Sequence, residues 1–131
     1  MPLSNDQAIK KLFENPIDGV DYDDALNRFG NQVAIYLRIL KVFISNSPQL
    51  LNKLAAATPE TIEDYTINVH GFKGSCYSIS AIALGDEAKA LEFASRDLDW
   101  KTVEAHNPLL IRKAYLLIYK LQKLVDKIES L

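Results

Sequence analysis

The chain has 131 residues, enough for one domain with a hydrophobic core and no disulfide staples. Hydrophobic residues make up 48% and charged residues 24%, which excludes a disordered chain. The net charge of -2 lacks the basic excess of a duplex-binding protein, and a lone cysteine excludes an internal disulfide and fits a reducing compartment.

The amino-terminal stretch MPLSNDQAIKKLFEN has no apolar run behind a basic start, so it does not read as a secretory signal. The most apolar stretch, Ala114 to Val125, is interrupted by Lys120, Gln122 and Lys123 and does not read as a membrane span. A soluble cytoplasmic protein is expected. The starting methionine and the closing Ser130-Leu131 point to a stand-alone chain.

Helical periodicity dominates the chain from end to end. Asn5 to Glu14 reads as a short helix, Asp18-Gly19 as a turn, and Asp21 to Phe29 as a second short helix ended by Gly30. From Asn31 to Ile44 the residues Val33, Tyr36, Leu37, Leu40, Phe43 and Ile44 form one apolar face. Ser45-Asn46-Ser47-Pro48 is expected to interrupt it, with Ser47 capping and Pro48 opening a new piece that runs to about Ala57. Thr58-Pro59-Glu60 repeats that start signal, and Ile62, Tyr65, Val69, Phe72, Cys76 and Ile79 make the stripe of the next helix. Leu84, Ala88, Leu91 and Leu98 make another stripe, with Asp97 and Asp99 marking the turn after it. Leu110, Ala114, Leu117, Leu121, Leu124 and Ile128 define the last helix, which Pro108 is expected to start or kink. No period-two pattern, repeat or linker is present. The expected fold is all-α, an antiparallel four-helix bundle with short additional N-terminal helices, in a single domain over residues 1–131.

One segment breaks these rules. Val69-His70-Gly71-Phe72-Lys73-Gly74-Ser75 lies inside a helical pattern yet holds two glycines. Each costs about 0.8–1 kcal/mol relative to alanine in a helix interior, so a compensating role is expected. Successive helical residues turn by about 100°, which puts His70 off the Val69-Phe72-Cys76 stripe and toward solvent. Lys73 and Gly74 share its face. A side chain at position 74 would lean over His70, and glycine has none. An uncovered imidazole beside a permanent cation suits phosphoryl transfer: the ring nitrogen attacks phosphorus and the lysine balances charge on the transferred group.

These residues resemble the histidine-containing phosphotransfer (HPt) domain. His70-Gly71-Phe72-Lys73-Gly74-Ser75-Cys76, followed by Ile79, Ala81, Leu84, Ala88, Leu91-Glu92 and Ala94, follows the family pattern. Asp23 to Phe43 resembles the helix pair that precedes the histidine helix, and the likeness covers about residues 18 to 128. The resemblance implies a four-helix bundle that accepts a phosphoryl group from a receiver-domain aspartate and passes it to another, without kinase activity. It implies His70 as phosphoacceptor, Lys73 as the group that stabilises the phosphoryl, and Gly74 with Gly71 as the clearance that admits the receiver. Partners would be a response-regulator receiver domain and a hybrid histidine kinase. Magnesium would belong to the receiver, so no cofactor and no metal is expected on this chain. Two departures stand out. The family commonly has glycine where this chain has Ser80, which bears on how the histidine helix ends, and a second glycine where it has Asn31, read here as a helix cap.

Thr66, Ile67 and Tyr77 are expected to flank His70 and to form a docking surface. His106 reads as a surface residue and Cys76 as a buried inert thiol on the core stripe. Asp21, Asp23 and Asp24 lack a calcium-loop pattern and read as first-turn acids. Ser75 has no nucleophile-elbow context. A helical adaptor that binds a receiver or kinase without carrying phosphate is the alternative, and a small enzyme built on His70 and a carboxylate would need an enclosed pocket. A monomer is expected.

Overall fold

The computed structural model describes residues 5–14 and 17–131. Every regular element among the described residues is helical: α1 (Asn5–Phe13), α2 (Tyr22–Arg28), α3 (Val33–Ala55), α4 (Ile62–Ser78), α5 (Ile82–Arg96) and α6 (Trp100–Glu129). A single 3-10 turn, Pro59–Thr61, leads into α4, and Thr58 and Thr61 cap one another there as the Thr-Pro-Glu signal predicts.

The sequence stripes become the core. Tyr65, Val69, Phe72, Cys76 and Ile79 are buried, as are Leu110, Ala114, Leu117, Leu121, Leu124 and Ile128 of α6. They meet Val33, Tyr36, Leu40 and Phe43 of α3 and Leu84, Ala88 and Leu91 of α5 in one continuous hydrophobic cluster. Cross-helix pairs fix the direction of each neighbour. Tyr36 and Phe43 face Ile79 and Phe72 across α3 and α4. Thr66, His70 and Tyr77 face Ser95, Glu92 and Asp86 across α4 and α5. Lys113 reaches Glu87 across α5 and α6, while Asn107 and Glu129 of α6 reach Leu54 and Lys41 of α3. Each of these pairs runs antiparallel, so α3 to α6 form the expected bundle, with α1 and α2 laid against one end.

Three local expectations are corrected. α3 runs unbroken through Pro48, and Ser47 is buried in its interior instead of capping a new helix. A proline inside a helix costs about 3 kcal/mol. The buried stripe Leu40, Phe43, Ser47, Leu51 and Leu54 continues in phase across it, and that burial outweighs the lost hydrogen bond. Likewise α6 starts at Trp100, where Asp99 accepts a hydrogen bond from the Thr102 amide, and Pro108 lies in its interior. Leu98 is not on the α5 stripe: it is exposed and adopts φ 58° in the turn after the helix.

That turn belongs to a recurring device. After α2, α4 and α5 a residue with φ near 60° stops the helix: Gly30 (61°), Ser80 (60°) and Leu98 (58°). In each case the next residue donates back to the helix, Asn31 to Leu26 O, Ala81 to Cys76 O and Asp99 to Ala94 O, which satisfies carbonyls that the helix itself leaves free. Only Gly30 takes this left-handed conformation without steric cost. Asn31, expected to cap α3, is also left-handed at φ 62°, and Gln32 holds the cap position without a side-chain hydrogen bond.

Candidate functional site

α4 carries the site and α5 completes it. The Val69-Phe72-Cys76 stripe is wholly buried, so helical geometry turns His70 outward, and its side chain is 60% exposed. Gly74, one turn on, opens the space beside the ring: a Cβ built there meets nothing within 4 Å. At Gly71 a Cβ would rest 3.9 Å from the Leu50 side chain, so this glycine faces α3. The neighbours expected to flank the histidine divide. Ile67 is 70% exposed. Thr66 is turned into the α4–α5 seam, where its hydroxyl donates to Ile62 O and to Ser95 Oγ. Tyr77 lies across Gly85 of α5 and donates its hydroxyl to Asp86 Oδ1 at 2.5 Å, a bond that pushes its own ionisation up to about 12.

The side chain that organises the site is one the motif reading passed over. Glu92 of α5 is 1% exposed. Its carboxylate accepts from Lys73 Nζ at 2.8 Å and from Arg96 Nη2 at 2.6 Å, and both of its oxygens lie 3.1 Å from His70 Nδ1. Burial works to raise the Glu92 carboxyl, but the hydrogen bonds from Lys73 and His70 and the charges of Lys73 and Arg96 outweigh it and hold the group below the ordinary carboxylate range. Lys73 is accordingly not a free cation beside the ring but the partner of this carboxylate. An ionised carboxylate can only accept, so the hydrogen of the neutral ring sits on Nδ1 and the lone pair on Nε2. A sequence signal for Glu92 did exist. It lies four residues after Ala88 and three before Ser95, on the buried stripe of α5, where a lone charge requires a partner.

Arg96 is the second residue missed: its side chain is 54% exposed and one turn beyond Glu92. Phe93, next in chain to Glu92, is half exposed under the Lys89 ammonium, 5.8 Å from its ring centre. The site therefore presents one negative and two permanent positive charges around an exposed imidazole.

The other candidates stay apart from it. His106 is exposed on α6. Cys76 is fully buried, and burial pushes its thiol up to about 12. Asp21 accepts from the Asp24 amide and caps α2. Among the described residues no three His, Cys, Asp or Glu side chains gather as a metal site, and no helix is long and apolar enough to cross a membrane. A cleft of about 810 Å³ lies at the far end of α4, against Ser80 and Asp86, and His70 does not line it.

The sequence model of a family described as Hpt domain matches residues 38–131. The match spans most of α3 and all of α4, α5 and α6, and leaves α1, α2 and the first residues of α3 outside it. No curated protein and no solved structure matches the chain.

Proposed function

The chain belongs to the Hpt domain family, and on that premise we propose that it is a phosphoryl carrier of a multistep phosphorelay, with His70 as the residue that carries the group between receiver-domain aspartates. The observation that carries this reading is the outward imidazole with Nε2 free, Nδ1 engaged by Glu92, and open space over Gly74. Hpt domains are phosphocarriers, not kinases. The attacking nitrogen needs no separate base, because Nε2 already holds a lone pair. Lys73 and Arg96 stand ready to balance charge on the incoming phosphoryl group. A receiver domain brings the magnesium and the aspartate. It docks over Gly74 with Ile67 and Tyr77 as apolar contacts, and a hybrid kinase is a second partner.

Incubation with a phosphorylated receiver tests this directly. His70 should take up the label, and the label should survive alkali and be lost in acid, as a phosphoramidate is. His70→Gln should abolish uptake and leave the fold intact, since the ring is mostly solvent-exposed. A receiver that binds the chain without labelling it would make the protein a helical adaptor, and an acid-stable label would rule out the histidine.

A further inference from the structure

Glu92 is the one charged side chain among the buried described residues. A buried carboxylate is costly unless every lone pair finds a donor. Lys73 from α4 and Arg96 from α5 already neutralise it, one on each oxygen. Yet the exposed His70 ring, free to turn toward water, is placed with Nδ1 equidistant from both oxygens. The remaining polar neighbours sit at the backbone: Ser95 Oγ donates to Glu92 O and receives Thr66 Oγ1. The carboxylate is thus committed to the ring beyond what its own burial demands.

Resting on the carrier reading above, we propose that Glu92 is the positioning residue of His70: it fixes the ring hydrogen on Nδ1, directs phosphorylation to Nε2, and retains that hydrogen afterwards so that the phosphoryl group departs from a neutral imidazole. In loading, the Nε2 lone pair forms the P–N bond as the bond between phosphorus and the donor aspartate oxygen breaks. The ring keeps Nδ1–H and becomes a cation, held against the Glu92 carboxylate. In discharge, an aspartate oxygen forms the new P–O bond, the P–Nε2 bond breaks, and its electron pair returns to Nε2. What leaves is neutral imidazole with its hydrogen still on Nδ1. A ring stripped of that hydrogen would have to leave as an imidazolate anion, a far poorer leaving group. Lys73 and Arg96 are the other charged groups on this carboxylate.

Potassium phosphoramidate loads histidine without a receiver, so it isolates this claim from the carrier reading. The loaded protein is followed for loss of phosphate at about pH 8 and by 15N NMR of the ring. Glu92→Gln keeps an oxygen that accepts from Nδ1–H but removes the charge. It should phosphorylate on the same nitrogen and lose phosphate about tenfold more slowly at this pH, the effect of removing one close opposite charge. The two rates should converge at about pH 5, where both rings are protonated. Arg96→Ala leaves the carboxylate on the ring and should stay within about twofold of the unmodified chain. Equal rates for Glu92→Gln at pH 8, or phosphate on Nδ1 of the unmodified chain, would overturn the proposal. Should Glu92→Gln fail to fold, the unmodified chain decides: a phosphorylated ring that keeps Nδ1–H up to about pH 7.5 supports it, and one that has lost it there overturns it. Failure of a phosphorylated receiver to label His70 would sink the carrier reading alone.

Discussion

Stability and function should pull in opposite directions at Gly74. Its place inside α4 costs about 0.8–1 kcal/mol relative to alanine. A Cβ there meets nothing within 4 Å, so no clash offsets the gain from Gly74→Ala. Unfolding entropy of about 2.1 cal/mol/K per residue over 131 residues turns that gain into a rise of about 3–4 °C in melting temperature. Gly74→Leu should gain nearly as much, because leucine is a strong helix former and its side chain starts in open space. That side chain leans back toward the helix N-terminus, over His70. Transfer from a phosphorylated receiver should therefore fall more than about tenfold, the scale expected for a misplaced reacting pair. Reaction with phosphoramidate should largely persist. Thermal melts followed by circular dichroism and paired phosphorylation assays read both effects. A Gly74→Ala chain that melts no higher, or a Gly74→Leu chain that accepts phosphate from the receiver at the original rate, would refute the reasoning.

Leu98 sits at φ 58° with its side chain 67% exposed, so Leu98→Gly should stabilise by about 0.5 kcal/mol in urea unfolding: relief of left-handed strain exceeds the greater flexibility of the unfolded glycine. Ser80 shares that conformation but is buried and hydrogen-bonded, so Ser80→Ala should destabilise while Ser80→Gly should be about 1 kcal/mol better than the alanine variant. Equal stability of the two would show that the strain at Ser80 is absent. The pH dependence of stability follows from Glu92. Its carboxyl titrates lower in the folded chain than its ordinary 4.5, so its contribution is full above that pH and declines as the pH falls through and below it. Denaturant midpoints measured from about pH 6 to 3 should fall less steeply in Glu92→Gln, and parallel curves would contradict the assignment.

What was legible in the sequence was whatever periodicity encodes. The buried stripes of α4 and α6, the Thr58 start signal and the outward turn of His70 all follow from 3.6 residues per turn and a capping residue. Pro48 and Pro108 misled because a local rule was set against tertiary burial, and the buried stripe continued in phase through both. Glu92 stayed out of sight for a different reason. It reaches His70 from another helix, 22 positions away, and no spacing rule along one helix connects them. Its only trace was a charge lodged among Leu84, Ala88 and Leu91.

The departures from the family's glycines have a conformational meaning that composition could not disclose. Ser80 and Asn31 both adopt φ near 60°, so the chain keeps the backbone turn that glycine ordinarily provides and makes it with other residues. At Ser80 the exchange has a visible return. The hydroxyl donates to Asp24 Oδ2 at 2.7 Å and accepts from Arg28 Nη1 at 3.0 Å, bonds that no glycine can form. Arg28 also donates to Tyr77 O, Tyr36 to Ile79 O, and the Asp21 amide to Ser80 O, so α2 and α3 supply donors to the last carbonyls of the histidine helix. Because α2 lies outside the matched region, Ser80 joins an element particular to this chain to the helix that bears His70. A strained serine at that junction is therefore a coupling between α2 and α4, and its cost is the conformational price of holding the end of α4 in place.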